Sequence, residues 1–303
     1  ETGAKVGADA WQLRVKNQTP HCKFGEQGIC CRICSMGPCR ITPKAPRGIC
    51  GCGAHGIVGR NYLKFTAGGA ATHSDHGREI CHTLYHAAAD GAYKVKDPDK
   101  LIRIAKEWGV ETEGKDIYDL AHEVAEMALM EYGKPFGYQR WLKRAPQHTQ
   151  DLWEKAEIAP RAIDREVACS LHMTHMGCSS KPEALVRQSL RAGLCDGWGG
   201  SMCGTEFSDV LFGTPKPIDT EANLGVMNAD NVNIVVHGHD PSLSEMVCEY
   251  ADDPEMIAYA KSVGAKGITV SGVCCTSNEV AMRRGIPMAG NFLQQENVVL
   301  TGA

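Results

Sequence analysis

Cysteine is the residue whose number and spacing point most directly to chemistry in this chain. Seven of the 15 cysteines fall between Cys22 and Cys52, in a stretch rich in glycine and proline. A disulfide framework is one reading, but the chain is large and has adjacent thiols at Cys30–Cys31 and Cys274–Cys275, which rarely pair with each other. Clustered reduced thiols are soft ligands, so the sequence favours zinc or iron–sulfur clusters.

Four of these cysteines have the spacing C-x2-C-x4-C-x10-C, namely Cys31, Cys34, Cys39 and Cys50. Four thiolates satisfy a 4Fe–4S cluster, and the short C-x-x-C step lets one loop reach two irons. Structural zinc also takes four thiolates, but zinc sites commonly show two separated C-x-x-C pairs and this stretch has one. The spacing therefore favours an iron–sulfur cluster and leaves zinc as the alternative.

Cys22 and Cys30 lie just upstream and can supply half of the ligands of a second cluster. The simplest source of the other half is the same pair on a symmetry-related subunit. The alternative is that both are spare thiols. Cys52 has no evident partner, and core packing is the default for the scattered cysteines, which are Cys81, Cys169, Cys178, Cys195, Cys203 and Cys248.

Histidines recur at short intervals between Thr72 and His86. His73, His76 and His82 fall on steps of three, with Glu79 in the middle step, and neighbours at this spacing meet on a helix. Imidazoles titrate near neutral pH, so such a series can pass protons along the helix. The alternative is a solvated polar face in which the histidines occur by chance.

Two further groups of ligand residues follow predicted strands. His237-Gly238-His239 ends one apolar run, and Cys274–Cys275 ends the next. In open α/β sheets, sites form at the carboxyl ends of parallel strands, so a histidine and a cysteine at two such ends favour a metal site in one crevice. Two ligands are an incomplete set.

The elements that position these residues divide the chain into three predicted segments. Residues 1–56 hold the Cys-rich segment, and residues 57–215 form a helical domain, since apolar residues recur at helical spacing from about 57 to 210. Asp97 before Pro98 predicts a helix start, and Gly109 predicts its end.

Residues 216–303 predict the start of a Rossmann-like α/β domain with a parallel sheet. Val232–Val236 and Gly267–Val273 are predicted strands, Leu243–Ala260 is the helix between them, and Val298–Leu300 is a third apolar run. The sheet has barely begun where the sequence ends, so we expect the chain to be a fragment.

Bulk properties exclude several classes of protein. The chain of 303 residues has a net charge of −4 with both signs mixed, so no basic face predicts nucleic-acid binding. No apolar run approaches the roughly 18 residues of a membrane span. No signal peptide precedes Cys22, and we expect a cytoplasmic protein.

The motifs together resemble the anaerobic nickel-dependent carbon monoxide dehydrogenases. The matching segments, in the same order, are CKFGEQGICCRICSMGPCRI, RGIC, THSDHG, DVLFGTP, EANLGV, VHGHDPSLSE and GVCCTSNEVAMRRGIP. The resemblance covers nearly all of the chain from Cys22 onward and corresponds to the N-terminal half of the catalytic subunit.

The resemblance implies a role for each group of residues. Cys31, Cys34, Cys39 and Cys50 would bind a 4Fe–4S cluster, and Cys22 and Cys30 a cluster shared across a homodimer. His239 and Cys275 would bind the unique iron of the nickel–iron–sulfur cluster. His73 would be the active-site base, His76 and His82 the proton ladder, and Asp196 an assisting carboxylate before a loop one residue longer than usual.

The implied reaction is the interconversion of CO and water with CO2, two protons and two electrons. Ferredoxin is the implied electron acceptor, and an acetyl-CoA synthase subunit is a further candidate partner. Glu79 stands where the family often has a ladder histidine, and four more cysteine ligands and a catalytic lysine are expected beyond Ala303. A non-catalytic electron-transfer subunit, a hybrid-cluster reductase and a zinc-stabilised structural protein are the alternatives.

Overall fold

A computed structural model describes residues 5, 7, 11–91, 93–238 and 241–291. The chain divides into two compact units, one formed by residues 21–207 and the other by residues 1–20 with 208–303. The domain boundaries predicted at residues 56 and 215 stay predictions.

The unit formed by residues 21–207 is helical apart from one short hairpin. Its helices, with the helix that continues past its boundary, are α1 (Lys23–Glu26), α2 (Ala54–Asp90), α3 (Pro98–Glu107), α4 (Ile117–Gly133), α5 (Gln147–Lys155), α6 (Ile163–Thr174), α7 (Pro182–Cys195) and α8 (Ser201–Phe212). A 3₁₀ turn covers Arg140–Arg144, and a π-helical turn, Asp196–Gly200, joins α7 to α8. The hairpin pairs β1 (Cys30–Cys31) with β2 (Cys39–Arg40). The mainly helical region predicted from residue 57 to about 210 is confirmed.

Helix α2 is the centre of this unit, and α4, α6 and α7 pack against it. Its 37 residues correspond to a length of about 55 Å. Leu63 and Ala67 and, further along, Ile80 and Leu84 are fully buried, and the spacing of four within each pair places its two members on one inner face. Every histidine of the predicted ladder therefore belongs to one rigid element.

Local signals in the sequence locate several helix ends. Asp97 caps α3, since its Oδ1 accepts a hydrogen bond of 2.9 Å from the backbone N–H of Lys100. The helix ends at Glu107, shortly before Gly109, whose φ is +77°. The start and the stop predicted for this helix are confirmed.

The prediction of one helix over Leu243–Ala260 is wrong, because the structure has two. They are α9 (Pro241–Ala251) and α10 (Pro254–Ser262). Pro254 has no backbone N–H to continue α9, and Asp253 caps the new helix by accepting a hydrogen bond of 2.7 Å from the N–H of Glu255.

The unit containing residues 208–291 holds a parallel sheet in the order β3 (Val232–His237), β4 (Ile268–Val273), β5 (Met288–Gly290). Helices α9 and α10 connect β3 to β4, and α11 (Cys275–Arg284) connects β4 to β5. The register aligns Val232 with Ile268 and His237 with Val273, so both strands end at one edge. The predicted parallel sheet is confirmed, while the apolar run Val298–Leu300 lies outside the described residues.

Arg283 on α11 links this helix to α8 and α9 through two carboxylates. The buried side chain of Arg283 donates hydrogen bonds to Asp209 Oδ1 at 2.7 Å and to Glu245 Oε1 at 3.2 Å.

Within the described residues, no helix has the length and apolar character needed to span a membrane.

Candidate cluster-binding and proton-transfer sites

The hairpin of the Cys-rich segment brings distant cysteines together. Antiparallel pairing of β1 with β2 sets Cys31 opposite Cys39. Cys31 and Cys52 form a small core with Ile57, and Cys39 and Cys50 pack against that core. Three of the four thiols predicted to bind one cluster therefore belong to the same packed group.

Cys34 is tied to this group by the tight turn that follows it. The backbone N–H of Gly37 donates a hydrogen bond of 3.2 Å to the carbonyl oxygen of Cys34. A Cβ at Gly37 would lie 2.9 Å from the carbonyl oxygen of Cys31 and 3.4 Å from that of Cys34, so only glycine fits here.

Two of the four thiols receive hydrogen bonds from nitrogen. The N–H of Ile49 donates to Cys39 Sγ at 3.4 Å, and the Arg60 guanidinium donates to Cys50 Sγ at 3.3 Å. A backbone hydrogen bond from Cys52, together with the bond from Arg60, lowers the pKa of the Cys50 thiol. N–H donors directed at ligand sulfurs are a feature of iron–sulfur sites, so these residues fit such a cluster.

In the described part of the chain, no three His, Cys, Asp or Glu side chains converge to hold one metal ion. A cubane cluster binds each thiolate through a different iron, so its four sulfurs surround the cluster and do not meet at a point.

Cys52 belongs to the core of this segment. It is 1 % exposed, and its thiol donates to the carbonyl oxygen of Gly53 at 3.6 Å. Burial raises the pKa of the Cys52 thiol. The structure therefore gives Cys52 a packing role that sequence reasoning did not find.

Cys22 and Cys30 line one cavity of about 410 Å³ together with Phe24, Arg32 and Arg40. Cys22 precedes α1, and backbone hydrogen bonds from Gly25 and Phe24 lower the pKa of its thiol. The pair predicted to form half of a second ligand set is thus brought to one place.

His73 and Asp196 form the clearest contact between predicted site residues. His73 Nδ1 lies 3.0 Å from Asp196 Oδ2. The other carboxylate oxygen, Oδ1, accepts hydrogen bonds from Ser74 Oγ at 3.3 Å and Ser201 Oγ at 3.2 Å. Both carboxylate oxygens are therefore fixed, and the carboxylate holds the imidazole in one orientation.

Sequence reasoning missed Ser74 and Ser201, and it was wrong about the backbone after Asp196. The residues after Asp196, where a loop is expected, form the π-helical turn Asp196–Gly200. A π turn accommodates one additional residue without breaking the helix. Its wider turn brings Ser201, five residues on, back to the side chain of Asp196.

Helix α2 and the π turn approach closely enough that glycine is required. A side chain at Gly77 would overlap the carbonyl oxygen of Gly200, and one at Gly200 would overlap the Cα of Ser74. This close approach of two backbones brings Asp196 to His73.

The ladder histidines continue along α2 toward its C-terminus. The rings of His82 and His86 are stacked with their centroids 6.5 Å apart. Tyr85 adds an unpredicted neighbour, since its ring lies 4.0 Å from that of His122 on α4. His76 lines a groove between α2 and α6 whose volume is about 630 Å³.

The scattered cysteines are mostly buried, as expected from core packing. Cys81, Cys195, Cys203 and Cys248 are each at most 3 % exposed. Burial raises the pKa of Cys248 to about 11. The expectation is wrong for Cys178, which is exposed because it lies in the turn after α6 and donates to the carbonyl oxygen of Met176 at 3.5 Å.

At the carboxyl edge of the sheet, the two cysteines take different environments. Cys274 packs against the core around Val273 and Ala289, while Cys275 is exposed at the start of α11. Cys274 has φ +64°, so the chain turns there before α11 begins.

The ends of β3 and β4 are joined beside Cys275. The N–H of Thr276 donates to the carbonyl oxygen of Gly238 at 2.9 Å, and His237 Nδ1 bonds the carbonyl oxygen of Val273 at 3.0 Å. Cys275 is thus next to the end of β3, while His239, its predicted partner, lies outside the described residues.

Comparison with known proteins gives a consistent result. Carbon monoxide dehydrogenase 1 of Methanosarcina mazei is 48 % identical over 97 % of this chain and 48 % of its own length. Carbon monoxide dehydrogenase 1 of Carboxydothermus hydrogenoformans is 45 % identical over 99 % of this chain and 48 % of its own length. The chain thus spans about half the length of the curated relatives it matches.

A solved structure of nickel-free carbon monoxide dehydrogenase from Thermococcus sp. AM4 superposes with a TM-score of 0.89 at 48 % identity, covering 100 % of this chain and 49 % of that one. The model of the Prismane/CO dehydrogenase family matches residues 29–303. The chain described here therefore belongs to the Prismane/CO dehydrogenase family.

Proposed function

We propose that this chain is part of an oxidoreductase that interconverts CO and water with CO2, two protons and two electrons. The observation that carries the proposal is the contact of 3.0 Å between His73 and Asp196. Sequence reasoning had assigned both residues to the reaction without placing them together.

The contact gives His73 a defined role in proton transfer. An ionised Asp196 accepts a hydrogen bond from Nδ1, so Nδ1 carries the hydrogen and Nε2 has the lone pair. His73 then takes a proton at Nε2 as general base, and Asp196 stabilises the imidazolium that forms. Ser74 and Ser201 keep the carboxylate in place through Oδ1.

Protons then leave along α2. His76, Glu79 and His82 follow His73 at steps of three on the same helix, and His86 stacks on His82. Glu79 is exposed, so its carboxylate exchanges protons with solvent and with the next imidazole. The relay runs from the partly buried His73 to the exposed His86.

The cysteine and histidine ligands divide into three sets in this proposal. Cys31, Cys34, Cys39 and Cys50 hold a 4Fe–4S cluster, and Cys22 and Cys30 hold half of a cluster shared with a second subunit. His239 and Cys275 contribute to a nickel–iron–sulfur cluster. When bound, that cluster supplies the two-electron chemistry at the carbon of CO, and the other clusters carry the electrons singly.

Further features follow by analogy with relatives. A homodimer, a ferredoxin-type acceptor and a cytoplasmic location are proposed. So is a Rossmann-like fold for the unit that contains β3, β4 and β5. A Moorella thermoacetica relative, 42 % identical, is named as a carbon monoxide dehydrogenase/acetyl-CoA synthase subunit, which supports a synthase as a further partner.

The test is metal analysis combined with activity in the full-length protein purified without oxygen, because this chain holds only part of the expected ligand set of the nickel cluster. We expect iron, nickel and CO-dependent reduction of a viologen dye. The Cys34→Ser variant should lose about four irons per chain, because a cubane holds four, while its helical circular dichroism remains; Cys178→Ser, at an exposed thiol, is the matched control.

Other results would favour other functions. Iron without nickel or CO oxidation would indicate an electron-transfer subunit. Reduction of hydroxylamine without CO oxidation would indicate a hybrid-cluster reductase. Zinc at the four cysteines would contradict the iron–sulfur assignment.

A further inference from the structure

Arg60 lies in the second turn of α2, beneath the Cys-rich segment, and is only 2 % exposed. Its Nε donates a hydrogen bond of 2.6 Å to the carbonyl oxygen of Ser179. One terminal nitrogen donates to Cys50 Sγ at 3.3 Å. The guanidinium is therefore anchored at one end and directed at a predicted cluster ligand at the other.

No carboxylate in the described part of the chain balances the charge of Arg60. Among the described residues, its hydrogen-bond partners are a backbone carbonyl and a thiol, and it forms no ion pair. A buried cation without an anionic partner is costly, because its desolvation is not offset. An anion at Cys50 removes that cost, and a cluster bound by four thiolates carries net negative charge.

We propose that Arg60 sets the reduction potential of the cluster held by Cys31, Cys34, Cys39 and Cys50, by offsetting its negative charge and donating a hydrogen bond to Cys50 Sγ. This inference rests on the proposed function, because it requires that these thiols bind iron and sulfur. Arg60 acts through Cys50 and is a positioning residue in this scheme.

The direction of the effect follows from the charge of the two redox states. Reduction adds one electron and no proton, and the electron comes from CO oxidation or, in a titration, from a low-potential chemical reductant. The reduced cluster is more negative by one charge, so a nearby cation and an N–H···S hydrogen bond stabilise it more than the oxidised cluster. Arg60 therefore raises the reduction potential.

The experiment is a redox titration of the anaerobically purified full-length protein, followed by the electron paramagnetic resonance signal of the reduced cluster. The signal is assigned by its loss in Cys34→Ser. Arg60→Gln and Arg60→Met remove the charge, and Arg60→Lys keeps it. Lys64→Met is the matched control, because Lys64 is an exposed cation one turn further along the same helix.

We expect both neutral variants to lower the ratio of reduced to oxidised cluster at least about tenfold at fixed ambient potential, which is 59 mV for a one-electron couple. Lys64→Met should titrate as the wild type does. A neutral variant that keeps its cluster and titrates at the wild-type potential would overturn the proposal.

Failure of a variant to hold its cluster is also informative. Loss of iron in both neutral variants, with retention in Arg60→Lys, supports charge compensation by Arg60. Loss in all three substitutions shows a purely structural role and refutes the proposal. Absence of iron from the wild-type site would instead contradict the proposed function, so the two failures are distinguishable.

Discussion

His73 Nδ1 and Asp196 Oδ2 lie 3.0 Å apart although 123 residues separate them in the chain. One residue is on α2 and the other begins the π turn after α7. The contact joins the start of the predicted proton ladder to a carboxylate that two serines hold in place, and it is the basis of the first prediction.

Replacing His73 or Asp196 should lower the turnover number while the fold is largely retained. His73→Ala should lower kcat about 10²–10⁴-fold, the usual contribution of a positioned general base. Asp196→Asn should lower kcat at least about tenfold, because an amide can donate to Nδ1 and so stabilise the wrong tautomer. The measurement is CO-dependent dye reduction at matched nickel and iron content. His55→Ala, at an exposed histidine near the start of α2, is the control, and unchanged kcat in His73→Ala would assign the base to another group.

Because α2 and the π turn approach so closely, adding one methyl group at Gly200 should lower the free energy of unfolding. Gly200→Ala should destabilise the protein by about 1–3 kcal/mol, because the new Cβ overlaps the backbone of Ser74. Gly193→Ala on α7 is the matched control, since its Cβ would lie 4.0 Å from Thr66 Cγ2. That control should be neutral or stabilising by up to about 1 kcal/mol. Thermal unfolding followed by circular dichroism measures both, and equal midpoints would contradict the prediction.

The Cys22 and Cys30 pair predicts a link between iron content and oligomeric state. A Cys22→Ser/Cys30→Ser variant should lose the shared cluster and weaken the dimer, because each subunit would supply half of the ligands. Sedimentation velocity and iron analysis on the same samples provide the readout, with Cys178→Ser as the control. Full iron content in a stable dimer of the double variant would show that these thiols are not ligands.

Cys248 predicts a loss of stability at alkaline pH. Its folded pKa of about 11 lies above that of an unfolded thiol, about 8.5, so above pH 8.5 the unfolded state releases its proton first. Stability due to Cys248 is complete below pH 8.5 and declines as the pH rises to about 11, by a total of about 3 kcal/mol. The difference in unfolding free energy between wild type and Cys248→Ala should therefore shrink as the pH rises from about 8.5 to about 11. A difference that does not change with pH would show that the pKa of Cys248 is not raised in the folded protein.

What could be predicted from sequence depended on how local each signal was. Asp97 and Pro98 fixed a helix start because cap, proline and apolar spacing lie within one turn. The break at Pro254 was equally local but was overlooked, since the apolar spacing continues through it.

The geometry around Asp196 was not predictable in the same way. Ser74 and Ser201 reach its carboxylate only because two helices meet at glycines, and neither hydroxyl has a distinctive neighbourhood in the sequence. The assignment of Cys52 to a core likewise needed the hairpin that folds Cys31 and Cys39 over it.

The π turn between α7 and α8 determines how this part of the chain tolerates changes in length. An α-helix advances about 100° per residue, so one extra residue held in the turn rotates everything after it by that angle. Removing a residue from Asp196–Gly200 would keep both helices while rotating Ser201 around the helix axis, away from the carboxylate of Asp196. A deletion in this stretch would therefore rotate α8 relative to α7. The number of residues in the π turn determines the direction in which the side chain of Ser201 points.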